Sequence, residues 1–445
     1  MTPTAYVRLF DTRRLKTELA RGAIGSVALK VSHTALSLLL SIVLARVLSP
    51  EGYGIYAFAF SVMTLIAVPV QLGMPTLLVR EIARYQYAES WGLLHGLLRW
   101  STRAVLVISV AMGLVALLLA SSLADRIDTT QLMTLGWAFA LLPLIALNRL
   151  RAAALQGLRR VVLGQLPEKL VQPALLLVLL GVVILTSQLT PPLAMAAYVA
   201  AAAVSFVLGA LMLYKGLPLP VRQSPPKYDT RVWLASTLPL SLLAGVQVIS
   251  SQTDIFMLGL LTTKEQAGYY RVAVAGSSLV IFTLGALNEV LSPHFARLYS
   301  AGDLPRLQRI VTTASRINLL AAIPVAGAFI LFGKPLLTFV VGSAYIPSYQ
   351  PLAVLCVGQL LGAAMGPVGM LLNMTGHERY TLVGVGVASL LNIALNLALI
   401  PLFGAVGAAV ANALAQVVWR AILCWAIAKH VGIGCTAFHG RGGEA

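Results

Sequence analysis

Apolar runs of about 20 residues recur along the whole chain, separated by short polar and basic segments. The runs are continuous, whereas the strands of a membrane β-barrel alternate over about ten residues. Because backbone groups in a bilayer must be hydrogen-bonded within their own segment, each run is predicted to be helical. The pattern predicts an all-α polytopic membrane protein with twelve spans, over residues 22–45, 54–78, 104–122, 131–147, 164–186, 192–214, 233–261, 268–291, 315–333, 351–372, 382–401 and 406–428.

Basic residues are concentrated in alternate loops of this arrangement. Twelve spans place both termini on one side, and that side holds 24 Lys and Arg residues, against 5 on the other side. Cytoplasmic loops carry such an excess, so both termini are predicted to be cytoplasmic. The formal net charge of +17 follows from this asymmetry. We therefore infer no nucleic-acid partner.

The chain divides near its middle into two similar halves. A proline-rich break, residues 215–232, is predicted to be a cytoplasmic linker between an N-lobe, 22–214, and a C-lobe, 233–428. Residues 1–21 and 429–445 are predicted to be cytoplasmic ends. Glu-Gly-Tyr-Gly-Ile-Tyr at 51–56 matches Glu-Gln-Ala-Gly-Tyr-Tyr at 265–270, an offset of 214. Six spans per half give parallel repeats, a transporter architecture with its cargo site between the halves.

Composition agrees with a membrane protein and limits the chemistry. Hydrophobic residues make up 58% of the chain and charged residues 11%, against about 25% charged in soluble proteins. Cys356, Cys424 and Cys435 lack CxxC spacing, which predicts neither a disulfide framework nor a metal site. No cleavable signal is predicted, because the first apolar run is too long for a signal-peptide core. No catalytic residue and no cofactor is predicted.

Polar residues share one face of the first span. Ser26, Lys30, His33, Ser37 and Ser41 recur at helical steps of three and four. A lysine within a membrane-length helix is costly, so the stripe is predicted to line a water-filled cavity for an anionic cargo. Two alternatives stay open: the lysine ammonium can snorkel to the cytoplasmic interface, and the histidine can make an ordinary interhelical contact.

The seventh span repeats this polar pattern. Gln247 and Ser251 align with His33 and Ser37 at the offset of 214, and Asp254 follows one turn later. The aligned pairs predict that polar faces of both halves line one cavity.

Two carboxylates are candidates for ion coupling. Asp254 is predicted either to take up a proton or a cation from the cavity, or to pair with Arg271 or Lys264. Glu289, which ends the eighth span, is predicted either to couple ion movement or to lie at the cytoplasmic interface.

Three arginines are candidates for binding an anionic head group. Arg420 lies deep in the last span, where its planar guanidinium suits bidentate phosphate contact, or packing, or a lipid head group. Arg46 and Arg271 lie at the outer ends of spans one and eight. They are predicted either to receive the phosphate after a conformational switch or to anchor the spans at the interface.

Three segments resemble a known transporter family. They are residues 44–56 (Leu-Ala-Arg-Val-Leu-Ser-Pro-Glu-Gly-Tyr-Gly-Ile-Tyr) with 71–75 and 79–81, residues 254–259 with 268–270, and residues 392–412. Together they resemble the polysaccharide-exporter and O-antigen flippase branch of the multidrug/oligosaccharidyl-lipid/polysaccharide (MOP) transporter superfamily.

The resemblance implies two six-helix lobes around a central cavity and a monomer in the inner membrane. It implies that a polyprenyl-pyrophosphate-linked oligosaccharide crosses from the cytoplasmic to the periplasmic leaflet by alternating access. Polysaccharide polymerase or assembly proteins are further partners that it suggests. The chain has two spans fewer than the related peptidoglycan-precursor flippases, which counts against that cargo.

Two other functions compete with this one. A multidrug/cation antiporter of the same superfamily would favour an acidic cavity, whereas Lys30 and His33 favour an anion. A membrane glycosyltransferase or ligase needs a sizeable catalytic region outside the membrane. The longest non-cytoplasmic loop, about 334–350, carries Lys334 as its one charged residue, so an enzyme is not predicted.

Overall fold

The computed structural model describes residues 12–122 and 128–438, without the side chains of 12–24, 26, 238–244, 286, 289, 290 and 293. The first half of the chain forms α1 (Thr12–Val47), α2 (Pro50–Gln71), α3 (Met74–Tyr87), α4 (Trp91–Ser122), α5 (Thr129–Gly157), α6 (Val161–Leu166), a π-helix (Pro167–Val171), α7 (Gln172–Thr186), α8 (Pro191–Gly216) and the short α9 (Leu219–Gln223).

The second half forms α10 (Thr230–Leu261), α11 (Lys264–Ser277), α12 (Phe282–Ser300), α13 (Leu304–Val340), a 3₁₀ helix (Ser343–Ser348), α14 (Tyr349–Met365), α15 (Val368–Met374) and α16 (Glu378–His430). We call α1–α8 with the π-helix the N-lobe, and α10–α16 the C-lobe. Within the described ranges, all regular structure is helical.

Nine helical segments of the described ranges are long and apolar enough to cross a membrane. Large apolar side chains point outward from these helices, as contact with lipid requires; Leu118 is 68% exposed and Leu320 is 69% exposed. The prediction of an all-α multi-pass membrane protein is therefore confirmed, while the count of twelve spans stays a prediction. Gly404 bends the 53-residue α16, and its two arms cover the last two predicted spans.

Two predicted spans are divided in the structure. The span predicted over 54–78 breaks at Leu72 and Gly73, whose φ angles are 42° and 67°. A glycine adopts such an angle without strain, and Pro75 then opens α3, because a proline is tolerated in the first turn of a helix. The span predicted over 268–291 breaks at residues 278–281. The same division thus occurs in both halves.

A third boundary also differs from its prediction. Residues 148–163 were expected to form a loop, but α5 continues to Gly157. The helix therefore carries Arg149 and Arg151 beyond the apolar run. Arg151 is buried against α8, where Nη1 donates to the carbonyls of Ser205 and Phe206 at 2.9 Å each.

The lobes touch through two glycines that are separated by the repeat offset of 214 residues. A Cβ atom on Gly54 of α2 would lie 1.7 Å from the carbonyl oxygen of Lys264. A Cβ atom on Gly268 of α11 would lie 2.1 Å from the carbonyl oxygen of Pro50. Since Pro50 and Lys264 are also 214 residues apart, the contact is reciprocal, as at a two-fold axis. This geometry agrees with the predicted parallel repeats.

We call the end of the bundle that holds this glycine contact the far end, and the opposite end the near end. At the far end, the buried Tyr345 donates from its hydroxyl to the carbonyl of Leu48 at 3.2 Å. Its ring also packs edge-on against Tyr269, with 6.2 Å between the centroids. At the near end, Trp233 donates from Nε1 to the hydroxyl of Tyr85 at 2.9 Å, which joins α10 to α3. Contacts between the lobes therefore occur at both ends of the bundle.

Residues 431–438 fold back against the C-lobe after α16 ends. Gln308 of α13 exchanges two hydrogen bonds with the backbone of Gly434, at 2.6 and 2.7 Å. This path brings Cys435 beside α16, where it forms a disulfide with Cys424. The expectation that the cysteines do not pair is therefore wrong for these two, while Cys356 is free and buried.

Candidate functional site

The N-lobe encloses a polar cavity of about 400 Å³, which we call the N-lobe cavity. Its walls come mainly from α1, α2, α5, the π-helix, α7 and α8. Helices α10 and α11 of the C-lobe complete it. Its polar lining is His33, Ser37, Ser41, Tyr53, Tyr56, Thr64, Asn148, Arg149, Glu168, Gln172, Tyr198, Ser251, Gln252 and Arg271.

A second cavity of about 620 Å³ lies beside the first, toward the near end. We call it the near-end cavity. Its polar lining is Thr64, Gln71, Thr76, Arg80, Arg149, Gln156 and Glu168. Thr64, Arg149 and Glu168 line both cavities, so the two spaces meet at these side chains.

The polar stripe of α1 is divided between the N-lobe cavity and a contact between the lobes. His33, Ser37 and Ser41 line the N-lobe cavity. His33 donates from Nδ1 to the carbonyl of Lys169 at 3.2 Å, which fixes the ring against the π-helix. Lys30 instead donates from Nζ to the carbonyl of Gly285 in α12 at 3.0 Å. The ammonium thus connects α1 to the C-lobe, and its part in binding cargo stays a prediction.

The two arginines at the outer span ends differ in their surroundings. Arg271 belongs to α11 of the C-lobe but lines the N-lobe cavity, with its guanidinium carbon 6.0 Å from the ring centroid of Phe60. Arg46 is exposed and donates to the carbonyls of Phe339 and Val340 at the end of α13; its Nε lies 2.6 Å from the Val340 oxygen. Arg46 therefore caps a helix C-terminus, where unpaired carbonyls favour a cation.

The C-lobe encloses a third cavity of about 540 Å³, which we call the C-lobe cavity. Its polar lining is Gln247, Ser250, Ser251, Asp254, Tyr270, Ser277, Ser278, Asn288, Gln359, Asn392, Asn412, Gln416, Trp419 and Arg420. Ser251 lines this cavity and the N-lobe cavity as well, because α10 runs between them. The side chain of Glu289 lies outside the described part of the structure.

Asp254 is the centre of a hydrogen-bond network in the C-lobe cavity, and its carboxylate is buried. Oδ1 accepts from Nδ2 of Asn392 at 3.0 Å and from Nδ2 of Asn396 at 2.7 Å. Oδ2 accepts from the Tyr270 hydroxyl at 2.5 Å and from Nδ2 of Asn412 at 2.7 Å. Among the described residues, the carboxylate makes no ion pair, so the expected alternative of pairing with a nearby cation is not realised.

The bend in α16 builds this network. Asn392 and Asn396 lie one turn apart on the first arm, and Asn412 lies on the second arm. Gly404, between the arms, has φ 54° and ψ −130°, which is outside the helical region. Both arms therefore reach the same carboxylate from different parts of the sequence. Asn392 and Asn396 thus bond between helices, from α16 to α10.

Arg420 extends the polar surface of the C-lobe cavity. Its side chain is buried, and Nη1 has no hydrogen-bond partner among the described atoms. Gly362 makes room for it, because a Cβ there would lie 1.4 Å from Nη1. A buried guanidinium with an unused donor at a cavity wall can bind an anion.

Two charged residues of the N-lobe cavity are absent from the predicted site. The sequence pattern assigns Arg149 to a loop, because the apolar run of α5 ends just before it. Glu168 lies within the predicted span 164–186, next to Pro167, and projects from the π-helix. A carboxylate inside a membrane-length segment is rare, and this feature of the sequence identifies Glu168 as a candidate functional residue.

The helices described above define a helical multi-pass membrane protein with polar cavities in both lobes. The sequence profile of the polysaccharide biosynthesis protein family matches residues 19–299, more than half of the chain. The chain therefore belongs to this family, and the resemblance inferred from its motifs is confirmed.

Two solved structures share the fold over nearly the whole chain. One is an inward-facing multidrug resistance MATE family transporter of the MOP superfamily, with a TM-score of 0.70, 16% identity, and 92% of this chain and 98% of that chain covered. The other is the lipid II flippase MurJ in an inward closed conformation, with a TM-score of 0.71, 12% identity, and 92% and 87% covered.

A similar curated protein is the probable low-salt glycan biosynthesis flippase Agl15 of Haloferax volcanii. It is 23% identical over 164 residues. The match covers 37% of this chain and 35% of that relative, so the chain spans about a third of its length.

Proposed function

We propose that this protein is a flippase for a polyprenyl-pyrophosphate-linked oligosaccharide, a repeat unit of a polysaccharide or O-antigen. The observation that carries the proposal is the N-lobe cavity, which holds arginines, a histidine and many uncharged polar groups among apolar helices. Flippase function of Agl15, the glycan flippase relative, and of MurJ, which has the same fold, supports this assignment.

The physical task is to shelter a charged head group and sugars from hydrocarbon. Arg149, Arg271 and His33 supply cationic donors for phosphate oxygens. Ser37 and Gln172 supply hydroxyl and amide groups that exchange hydrogen bonds with sugar hydroxyls. The apolar tail stays in the bilayer, so no covalent step and no cofactor is required.

We assign further contacts to the other candidate residues. The Lys30 side chain, which connects α1 to α12, binds the head group as it enters. Arg46 binds the head group at the far end after the lobes change conformation. Gln247, Ser251 and Arg420 bind from the C-lobe side. These roles follow from their residue types and positions.

The orientation follows from the excess of Lys and Arg in alternate loops. We propose that the near end and both termini face the cytoplasm and that the far end faces the periplasm across the inner membrane. The close glycine contact at the far end then corresponds to a state that loads from the cytoplasm. The protein acts as a monomer and delivers its cargo to polysaccharide polymerase or assembly proteins.

Ion coupling is assigned to the C-lobe cavity. Asp254 accepts four hydrogen bonds from neutral donors. A proton or a small cation at this carboxylate would change which amides bind it, and the arms of α16 would rearrange. Glu289 is the second candidate for coupling.

A second candidate function is cation-coupled drug efflux, because the fold is shared with a MATE transporter and the C-lobe cavity contains a carboxylate. The basic residues of the N-lobe cavity favour an anionic cargo instead.

Deletion of the gene in its native host tests the assignment. We expect lipid-linked oligosaccharide to accumulate and surface glycan to be lost, with recovery when the gene is returned on a plasmid. Ethidium accumulation is the matched measurement for the second function. Unchanged glycan together with raised ethidium retention would replace the flippase assignment with the efflux assignment.

A further inference from the structure

The N-lobe cavity and the near-end cavity meet at one ion pair. Arg149 of α5 and Glu168 of the π-helix line both spaces. Nε of Arg149 lies 3.9 Å from Oε1 of Glu168, and the side chains are 39% and 36% exposed. A head group that moves from the near-end cavity to the N-lobe cavity must pass this pair.

Arg149 is held loosely at this junction. Charge-assisted hydrogen bonds between nitrogen and a carboxylate oxygen are about 2.7–2.9 Å long, well short of the observed separation. The second contact of the guanidinium, from Nη1 to Oε1 of Gln71, is 3.4 Å long. Gln71 is itself buried, and its Nε2 has no hydrogen-bond partner among the described residues. The junction thus contains a guanidinium with weak partners beside an unused amide donor.

The π-helix explains why Glu168 lies at this junction. Its wider turn is a single-turn bulge of the kind that occurs at functional sites. Ser205 of α8 donates from Oγ to the carbonyl of Pro167 at 2.8 Å, which ties the bulge to the N-lobe. The next residue, Lys169, turns its ammonium to Oε1 of Gln165 at 2.9 Å. Glu168 therefore supplies the carboxylate of the bulge to the cavities, while the neighbouring cation is bound elsewhere.

We propose that Glu168 is a displaceable counter-ion of Arg149. In the empty protein, the carboxylate holds the guanidinium at the junction. A phosphate or pyrophosphate group displaces the carboxylate and binds the guanidinium, because the phosphate is more highly charged and forms a bidentate contact. A neutral lipid cannot displace the carboxylate. The pair therefore selects anionic over neutral cargo, an inference that rests on the proposed flippase function.

Binding of geranylgeranyl pyrophosphate to the full chain in nanodiscs tests the proposal, with geranylgeraniol as the neutral comparison. Glu168→Gln is expected to tighten pyrophosphate binding about threefold to fivefold, the range of a partly exposed ion pair. Arg149→Gln is expected to weaken it about tenfold or more, because a charge-assisted contact is lost. Arg149→Lys, which keeps the charge without the planar fork, is expected to give an intermediate loss.

The double variant Arg149→Gln/Glu168→Gln identifies the partner through which Glu168 acts. We expect it to bind like Arg149→Gln alone, since a counter-ion has no effect once its cation is gone. Tighter binding by the double variant than by Arg149→Gln would overturn the proposal, as would equal or weaker binding by Glu168→Gln. In the first case Glu168 repels the anion directly, and in the second it is not a competitor.

A matched control uses an ion pair far from the cavities. Arg306 and Asp303 of the C-lobe lie 3.5 Å apart on the surface, and Asp303→Asn is expected to leave binding unchanged. If the native protein binds pyrophosphate but Glu168→Gln does not bind it more tightly, this inference alone is overturned. No preference for pyrophosphate over geranylgeraniol in the native protein overturns both the inference and the proposed function.

Discussion

The cavities of the two lobes lie on either side of α10 and share Ser251, yet their charged groups are held in different ways. In the N-lobe cavity the contacts of the ionic groups are long: 3.9 Å from Arg149 to Glu168, and 6.0 Å from Arg271 to the ring of Phe60. In the C-lobe cavity, Asp254 is buried and bound by four neutral donors at 2.5–3.0 Å.

This difference suggests a division of labour. Loosely bound charges lose little when they exchange partners, so they suit contact with a passing head group. A buried carboxylate with four short bonds is costly to disturb, since each buried polar group left unpaired costs about 1–3 kcal/mol. It suits an element that changes only when a proton or cation arrives. We infer that the basic residues of the N-lobe cavity bind cargo and that the Asp254 network of the C-lobe cavity sets the conformational equilibrium.

The lobes are alike where they touch. Gly54 and Gly268 are equivalent in the repeat and make the same contact from opposite sides. Along α1 and α10, polar residues align at His33 and Gln247, but Lys30 aligns with an alanine. Symmetry is thus kept at the contact between lobes and lost in the walls of the cavities.

Asp254→Asn is expected to have the largest effect. The NH2 group of the new amide faces the NH2 group of Asn412, so two hydrogen-bond donors oppose each other in a buried position. Export is expected to fall to the level of a deletion strain. Surface glycan and the melting temperature of the purified protein measure the two consequences, and the melting temperature should fall by several degrees. Pyrophosphate binding in the N-lobe cavity should persist, which separates the two cavities.

Its matched control is the exchange Asp254→Asn/Asn412→Asp, which keeps one carboxylate in the network. We expect this variant to recover most of the lost stability. Full export by Asp254→Asn at normal protein levels would remove the carboxylate from the mechanism.

Gly54→Ala and Gly268→Ala are expected to have the next largest effect. Each methyl group collides with a carbonyl oxygen of the other lobe, at a cost of about 1–3 kcal/mol. That cost shifts the equilibrium away from the state in which the two glycines touch the opposite lobe, by about 5- to 150-fold. Spin labels at the exposed, equivalent positions Glu51 and Glu265 measure the far-end distance.

The control for both glycines is Gly136→Ala, because an added Cβ at Gly136 meets nothing within 4 Å. The two glycine variants should open the far end to a similar degree, since their contact is reciprocal. Opening by one variant only would contradict the pseudo-two-fold geometry.

Arg271→Gln is expected to weaken geranylgeranyl pyrophosphate binding about tenfold, because a charge-assisted contact to phosphate is worth about 1.5–3 kcal/mol. The comparison variant is Arg306→Gln, which removes an exposed cation far from the cavities and should change binding less than about twofold. Equal losses in both variants would mean that the N-lobe cavity is not where the head group binds.

Lys30 is expected to give the smallest effect on export. Lys30→Ala removes the ammonium, whose hydrogen bond to the Gly285 carbonyl is worth about 1 kcal/mol, and should lower surface glycan by about fivefold or more. Lys30→Arg should keep export near normal, because it retains a charged donor. Full export by Lys30→Ala at normal protein levels would exclude this ammonium from transport.

The helical membrane fold, the repeat and the family could be read from the sequence, because apolar periodicity and the repeated Gly-Tyr segments are local signals. The same signals predict His33, Ser37 and Gln247 at the walls of one cavity; in the structure His33 and Ser37 line the N-lobe cavity, whereas Gln247 lines the C-lobe cavity. The partners of Asp254 could not be predicted, because Asn396 and Asn412 reach it only through the bend at Gly404.

The charged junction of the N-lobe could not be predicted for a different reason. A helix that continues past its apolar run, as α5 does, has no sharp signal, so Arg149 looked like an ordinary loop cation. The single turn of π-helix that presents Glu168 also leaves no recognisable spacing of apolar residues in the sequence. A hydrogen bond from Ser205 of α8 ties this turn to the N-lobe, and it is a tertiary contact.

The reciprocal glycine contact has a consequence for how the two halves of the gene can drift apart. A substitution in one half at Gly54 meets the backbone of the other half, so compensation cannot come from a second side chain there. Each half therefore restricts which residues the other half can have at this position. The cavity residues of each half are restricted only by the ligand that they bind. We expect duplicated halves of this design to diverge first in their linings and last at the glycines.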